Sequence, residues 1–183
     1  MIDKRFGIKD RKYHIFDVGG QKSERKKWFR YVDDVKAVVF VVSLACYNEM
    51  MYEDQTRNCM VDGLELFGET VNSTNFRNAP FILFLNKRDL FRDKVTRLPI
   101  TTCPAFDDFE AKDGDASNYE DAVAYIERKF RAQRKNNYDD VGRRKQMYVH
   151  ITCAMDDENI KNVFDDITRL IVDQIMGNMK HMV

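Results

Sequence analysis

Four residues near the start of the chain have the types and spacing of a phosphate site: Asp17, Gly19, Gly20 and Gln21. Asp17 ends an apolar strand, which is where ligands of α/β sheets bind. The glycine pair lets the backbone approach a ligand closely and turn its N–H groups toward an anion. Gln21 has both a donor and an acceptor with which to hold a water molecule. Together these residues predict a nucleotide-phosphate site with a positioned water.

A second polar segment follows a long apolar run and reads Asn86-Lys87-Arg88-Asp89. The Asp89 carboxylate is able to accept from the ring N1–H and the exocyclic amine of guanine together, a pair that adenine does not offer. Asn86 can bond the base edge, and the Lys87 stem can lie along the ring face. The segment therefore has the chemistry of guanine recognition.

A third segment, Thr152-Cys153-Ala154, ends another strand, where the Ala154 N–H can reach the carbonyl oxygen of the base. An Asn-Lys-x-Asp sequence alone is a weak signal, common by chance on protein surfaces. Its place between the glycine segment and Thr152-Cys153-Ala154 predicts a guanine-nucleotide site. The alternative is that each segment is an ordinary turn or a solvated loop after a core strand.

Apolar runs predict the strands that position these segments. Residues 5–9 and 12–18 predict a β-hairpin that turns at Asp10-Arg11. Residues 37–44 and 80–86 predict parallel strands that are buried on both faces, and residues 148–152 predict a weaker third strand.

Helical periodicity occupies the stretches between the strands. One apolar helix face is formed by Met60, Leu64, Phe67 and Val71. A capping box at 117–120 predicts a helix with Ala122, Ile126 and Phe130 on its apolar face. The last predicted helix starts at 156–158, buries Val163, Ile167, Leu170 and Ile171, and ends at Gly177. Strands that alternate with helices predict an α/β fold with a mostly parallel sheet and helices on both faces.

The segments and their order resemble the α subunit of heterotrimeric G proteins over nearly all 183 residues. The resemblance is carried by residues 17–21, 86–91 and 152–154 and by the Ser-Glu-Arg-Lys-Lys-Trp sequence at 23–28. Small GTPases in general do not share that last sequence. The resemblance implies a P-loop GTPase-like fold in a single domain over residues 1–183. It further implies a guanine-nucleotide-binding protein that hydrolyses GTP to GDP in receptor-coupled signal transduction.

The resemblance also implies roles for individual residues. Asp17 would hold Mg²⁺ through water, and the Gly20 N–H would meet the γ-phosphate. Gln21 would be the catalytic residue that orients the attacking water. The residues that bind GTP or GDP would be Asp17, Gly19, Gly20, Gln21, Asn86, Lys87, Asp89, Cys153 and Ala154.

Residues 22–30 resemble the family's second switch segment, which changes conformation with the γ-phosphate and contacts either the βγ dimer or an effector. The partner-binding candidates in it are Lys22, Arg25, Lys26, Lys27 and Trp28. Arg25 is expected to pair with Asp62 in the active state, and the last helix and residues 179–183 would meet a G-protein-coupled receptor. The alternative for the charged residues is a solvated helix face, although Trp28 among them favours an interface.

Parts of the family's site have no counterpart in the sequence. It contains no Gly-x-x-x-x-Gly-Lys-Ser/Thr phosphate loop, and the nearest spacing, at 63–70, has Glu69 in place of the Lys. We also find no first strand, inserted helical domain or first switch. We therefore expect a sheet without its first strand, with unpaired edges, and little or no turnover by the isolated chain. The alternative function is a binding module without a nucleotide cycle that competes for βγ, effector or receptor.

Composition argues against several other classes of protein. A hydrophobic content of 44% and a charged content of 33% are typical of a soluble globular domain, and the net charge of +0 argues against nucleic-acid binding through global charge. The four cysteines form no Cys-x-x-Cys pair and the three histidines are scattered, which predicts reduced thiols and no zinc site. We expect a cytoplasmic protein that reaches the inner face of the plasma membrane only through partners.

Overall fold

The computed structural model describes residues 2–8, 11–25, 28, 35–135, 138 and 145–180. The chain divides into two compact units, Met1–Val35 and Lys36–Val183. Among the described residues, no helix combines the length and the apolar character needed to span a membrane.

The first unit is built on a β-hairpin. Strand β1 (Ile2–Ile8) pairs antiparallel with β2 (Arg11–Asp17), with Ile2 opposite Asp17 and Ile8 opposite Arg11. One helical turn, α1 (Lys22–Arg25), follows the glycine segment. The predicted hairpin is confirmed, but its turn is not at Asp10-Arg11, because Arg11 is the first residue of β2 and pairs with Ile8. Asp10 lies outside the described residues.

The second unit alternates strands and helices around a parallel sheet. In chain order its elements are β3 (Val38–Ser43), β4 (Met50–Met51), β5 (Asp54–Asn58), α2 (Cys59–Asn72), β6 (Phe81–Asn86), α3 (Arg88–Val95), α4 (Tyr119–Ala132), β7 (Met147–Ile151) and α5 (Asp157–Lys180). β6 lies between β3 and β7 and is parallel to both. β4 and β5 form a separate short antiparallel pair that the sequence did not predict.

Helices pack on both faces of the parallel sheet, as predicted. On one face, Phe67 of α2 makes edge contacts with Phe40 and Phe81, and with Phe130 of α4, at ring-centroid distances of 5.2, 6.1 and 5.5 Å. On the other face, Val163 and Ile167 of α5 pack against Ile82 of β6. The sheet is therefore the middle layer of an α/β fold.

The central strand β6 is buried on both faces, but β3 is not. Ile82 and Leu83 of β6 are almost fully buried, whereas Val39 and Val41 of β3 are 50% and 57% exposed. The prediction that residues 37–44 are buried on both faces is therefore wrong for one face. The reason is the position of β3, which is one of the two edge strands of this sheet within the described residues, whereas α5 packs over the central strand β6.

Asparagine side chains cap the N-termini of two helices. The Asn58 side chain accepts from the N–H groups of Met60 and Val61 at 2.9 and 3.1 Å and so caps α2. Asn118, rather than Ser117 of the predicted capping box, caps α4 by accepting from the Asp121 N–H at 3.0 Å. The Asn118 cap places the start of α4 one residue after the position that the predicted capping box indicates.

The last helix does not end where the sequence predicted. α5 continues through Gly177 to Lys180. A glycine ends a helix when it adopts a left-handed conformation, and Gly114 is the one described glycine with a positive φ. Gly177 instead stays within the helix, where glycine is tolerated at a modest cost.

We expect the Phe67→Ala substitution to lower the free energy of unfolding by about 3 to 5 kcal/mol, because it leaves a cavity where aromatic rings from four elements meet. Urea unfolding followed by circular dichroism measures the change. The matched control is Glu69→Ala on the exposed side of the same helix, for which we expect a change of about 0.5 kcal/mol or less. Equal midpoints for the two variants would contradict this packing.

Candidate functional site

A single residue, Lys87, connects the end of β6 to the start of α3. Lys87 has φ of 60° and ψ of 42°, the left-handed region, and is the one described non-glycine residue with a positive φ. Because one residue ends the strand and starts the helix, Asn86 lies at the carboxyl end of β6 and Asp89 lies in the first turn of α3. The Asn-Lys-x-Asp sequence is thus folded into one tight turn at the edge of the sheet where ligands bind.

Buried Thr152 joins this turn to the segment after β7. Its N–H donates to the Leu85 carbonyl at 2.9 Å, and its own carbonyl accepts from the Arg88 N–H at 3.1 Å. Its hydroxyl donates to Asn86 Oδ1 at 3.1 Å. These bonds hold residues 86–89 and 152–154 together. We call these two segments, which the sequence predicts to bind the base, the base-recognition loops.

Hydrogen bonds to residues at the start of α5 hold the second base-recognition loop, residues 152–154, in place. The Cys153 N–H donates to Asn159 Oδ1 at 3.0 Å, and Asn159 in turn donates its N–H to Asp156 Oδ1 at 2.9 Å. Arg88 binds the other oxygen of Asp156 at 2.7 Å. Sequence reasoning missed Asn159 and the Arg88–Asp156 pair, because it assigned the acidic residues 156–158 to the helix dipole alone.

Three groups of the base-recognition loops are open to an added molecule. Within the described residues, the Asp89 carboxylate has no hydrogen-bond or ion-pair partner, and the Ala154 N–H and the Asn86 side-chain NH₂ have no acceptor. Asp89, Lys87 and Ala154 are exposed, whereas Cys153 is buried and contributes through its backbone. The structure therefore brings Asn86, Lys87, Asp89, Cys153 and Ala154 together as predicted.

A cleft of about 490 Å³ adjoins Lys87 between the end of β3 and α3. Lys94 organises it by donating to the Ala45 carbonyl at 2.6 Å and to Glu49 Oε1 at 2.6 Å. The full lining is Ser43, Ala45, Glu49, Lys87, Leu90, Asp93, Lys94, Arg97 and Leu98. Of the base-recognition loops only Lys87 reaches this cleft.

In the first unit, the candidate phosphate residues form a turn that contacts the switch segment. Asp17 and Gln21 are exposed at the end of β2 and at the start of α1. A Cβ added at Gly19 would lie 3.0 Å from Glu24 Cγ, so the Glu24 side chain would have to shift to accommodate it, whereas the space beside Gly20 is open. Gly20 is therefore the residue whose backbone an added group can approach.

Two switch side chains bind the glycine turn. The Trp28 Nε1–H donates to the Gly19 carbonyl at 2.9 Å, and Arg25 Nε donates to the Gly20 carbonyl at 3.0 Å. Trp28 is partly buried and Lys22 is exposed. Lys26 and Lys27, predicted to bind partners, lie outside the described residues.

Asp62, the predicted partner of Arg25, is engaged within the second unit. Arg57 Nε donates to Asp62 Oδ1 at 3.0 Å, and the same guanidinium also pairs with Glu65. The sequence did not indicate Arg57 as a partner of Asp62, because β5, which carries Arg57, was not predicted. The Arg25–Asp62 pair stays a prediction.

Within the described ranges, no group of three or more His, Cys, Asp or Glu side chains is arranged to hold a metal ion. Mg²⁺ is usually bound by one or two carboxylates together with substrate phosphates rather than by an all-protein cage. A single exposed carboxylate such as Asp17 fits that mode of binding.

Residues 1–171 match the sequence model of the family described as "G-protein alpha subunit". The chain belongs to the G-protein α-subunit family. It is 41% identical over 172 residues to the guanine nucleotide-binding protein alpha-2 subunit of Caenorhabditis briggsae. It is 39% identical over the same length to the G(o) subunit alpha of Locusta migratoria and to that of Lymnaea stagnalis.

Each of these matches covers 94% of this α-subunit chain but 45% of the relative. The chain therefore spans a little under half the length of the curated relatives it matches. The resemblance inferred from residues 17–28, 86–91 and 152–154 is confirmed, and so is the α/β fold of the P-loop GTPase type.

We expect the Lys87→Val substitution in this α-subunit chain to lower the free energy of unfolding by about 1 to 2 kcal/mol, because a β-branched residue is strained in the left-handed region. Urea unfolding measures the change in the free energy of unfolding. The matched variant is Lys87→Gly, which removes the same side chain without that strain and should not destabilise the chain. If both variants unfold at the same urea concentration, the left-handed turn is not the source of the effect.

Proposed function

We propose that this α-subunit chain binds a guanine nucleotide, and that its base-recognition loops select the base. The observation that carries the proposal is the arrangement at Asn86, where the Thr152 hydroxyl occupies the side-chain oxygen at 3.1 Å and leaves the NH₂ as the free end. The turn after β6 thus offers a fixed donor beside a free acceptor, Asp89.

The open groups complement guanine one by one. The Asp89 carboxylate accepts from the ring N1–H and the exocyclic amine, the Ala154 N–H donates to the ring carbonyl oxygen, and Asn86 donates to the base edge. Adenine would place an acceptor and no matching amine against Asp89, which leaves a carboxylate unpaired. The Lys87 stem lies along the ring face.

The relatives named as guanine nucleotide-binding proteins support the same proposal, as does the residue chemistry of the first unit. Gln21 is proposed to orient a water for attack on the γ-phosphorus of GTP, with cleavage of the bond to the β-phosphate and release of GDP. Asp17 would hold, through water, the Mg²⁺ that neutralises the developing charge, and the open space beside Gly20 would let its N–H meet the γ-phosphate.

Turnover by these residues alone is expected to be slow. The sequence of this chain contains neither a phosphate-loop Lys nor the switch Arg, and the Arg alone contributes about 10³-fold or more in rate in this class. Nucleotide binding is therefore the better measure of the proposed function than hydrolysis.

We expect Asp89→Asn to weaken GDP binding by about 10- to 100-fold, because the amide keeps one acceptor but turns a donor toward the guanine amine. The same change should strengthen binding of xanthosine diphosphate, whose base has a carbonyl oxygen at that position. Titration with fluorescent forms of both nucleotides, with Mg²⁺ present, measures the two constants.

The matched control is Asp93→Asn, an exposed carboxylate on the same helix, which should leave both constants unchanged. A loss of GDP binding without any gain of xanthosine diphosphate would show only damage to the loop. No binding of GDP by the unmodified chain would contradict the proposal.

A second candidate function is a binding module that engages signalling partners without a nucleotide cycle. The supporting observation is that Arg25 binds the Gly20 carbonyl and Trp28 binds the Gly19 carbonyl, so these two side chains are held by contacts within the first unit. The proposed partners are the βγ dimer, an effector and a G-protein-coupled receptor. Through them the chain would reach the inner face of the plasma membrane from the cytoplasm.

We expect Trp28→Ala to weaken binding of a purified βγ dimer by about tenfold or more, because tryptophan is a common anchor of interfaces. Biolayer interferometry measures the affinity. Lys4→Ala, an exposed change on β1, is the control and should bind as the unmodified chain does. Equal affinities for all three chains would exclude Trp28 from the interface.

A further inference from the structure

Two cysteines meet beside the carboxyl end of the parallel sheet. Cys46 closes the 3₁₀ turn Leu44–Cys46 that follows β3, and it is buried. Cys59 is the first residue of α2 and is partly exposed. The Cys59 N–H donates to the Glu49 carbonyl at 2.8 Å and the Glu49 N–H donates to the Cys46 carbonyl at 3.0 Å, so the backbone holds the two turns together.

The thiols of Cys46 and Cys59 lie within interaction distance of each other. The Cys46 S–H has two acceptors within reach, the Cys59 sulfur and the Ser43 carbonyl oxygen at 3.1 Å. Cys59 thus lies where an S–H donor, a helix N-terminus and an opening to solvent coincide. Each of the three favours a reactive thiolate.

The surroundings of the pair shift the pKa values of the two thiols in opposite directions. The hydrogen bond from Cys46 lowers the pKa of Cys59, and Lys87 lowers it further, although burial and the carboxylates of Glu49 and Asp62 act in the opposite direction. The same hydrogen bond, together with burial, raises the pKa of Cys46. One thiol of the pair is therefore the nucleophile, and its neighbour keeps the proton.

We propose that Cys46 and Cys59 are a redox modification site that closes to a disulfide when it meets a hydroperoxide. The Cys59 thiolate attacks the peroxide, an S–O bond forms as the O–O bond breaks, and with hydrogen peroxide the departing oxygen leaves as water. The Cys46 sulfur then attacks the sulfenic sulfur of Cys59, the S–S bond forms, and a second water leaves with the Cys46 proton. Two thiols are oxidised and one peroxide is reduced to two waters.

Cys103 is the competing thiol. It is fully buried, and its S–H is directed to the Asn58 side-chain oxygen at 3.7 Å rather than to a sulfur. Asn58 is held in place because it caps α2 and donates to the Tyr47 carbonyl at 2.8 Å. The backbone bonds through Glu49 join Cys59 to Cys46 and not to Cys103. The inference does not depend on whether the chain binds a nucleotide.

The test uses the full reduced chain at neutral pH, treated with hydrogen peroxide, capped with N-ethylmaleimide, digested and analysed by tandem mass spectrometry. We expect a peptide that links Cys46 to Cys59, a chain mass lower by two hydrogens, and recovery of both thiols with dithiothreitol. Cys59→Ser should abolish the linked peptide, and Cys153→Ser, which removes a thiol after β7, should keep it. Sulfinic acid at Cys59 without the link, or a link to Cys103, would overturn the proposal.

A kinetic measurement covers the case in which a variant of the buried Cys46 folds poorly. Iodoacetamide at neutral pH should modify Cys59 about threefold or more faster in the unmodified chain than in Cys46→Ala, because the S–H donor stabilises the thiolate. If the variant reacts as fast or faster although it folds, the donor role of Cys46 is wrong. If the variant does not fold, the linked peptide of the unmodified chain decides.

Discussion

The hydrogen bonds of one buried threonine connect the carboxyl ends of β6 and β7, on which the candidate site depends. Thr152 donates and accepts through its backbone at the end of β6 and the start of α3, and its hydroxyl orients Asn86. A buried polar residue is costly unless each of its groups is satisfied, and here all three are satisfied by the loops that carry the site chemistry. The core and the site are therefore stabilised by the same contacts.

The left-handed turn at Lys87 depends on that support. A lysine with φ of 60° is strained, and the bond from the Arg88 N–H to the Thr152 carbonyl, together with the Arg88–Asp156 pair, holds the next residue in place. Strain of this kind persists where the surroundings fix the backbone. It lets Asp89 enter a helix directly after a strand, with no intervening loop to move.

Much of the fold and of the candidate site was predictable from the sequence. Apolar periodicity indicates the helices and strands, and polar residues at strand ends indicate the site. The apolar face of α2, the strands at 38–43 and 81–86 and the meeting of residues 86–89 with 152–154 all followed from such patterns. The burial of β3 did not, since exposure of Val39 and Val41 depends on which strand lies at the edge. Contacts between distant side chains, such as Arg57 with Asp62 and Asn159 with Cys153, leave no periodic signal.

The register of the parallel sheet has a consequence for how the chain folds. β3, β6 and β7 are each separated by dozens of residues, so their pairing closes long loops and is slow compared with the formation of the hairpin β1–β2. During synthesis, β7 and Thr152 leave the ribosome well after β6. The site is therefore completed only when β7 pairs with β6, and a chain stopped before β7 would expose one edge of β6 and leave Asn86 without its Thr152 partner.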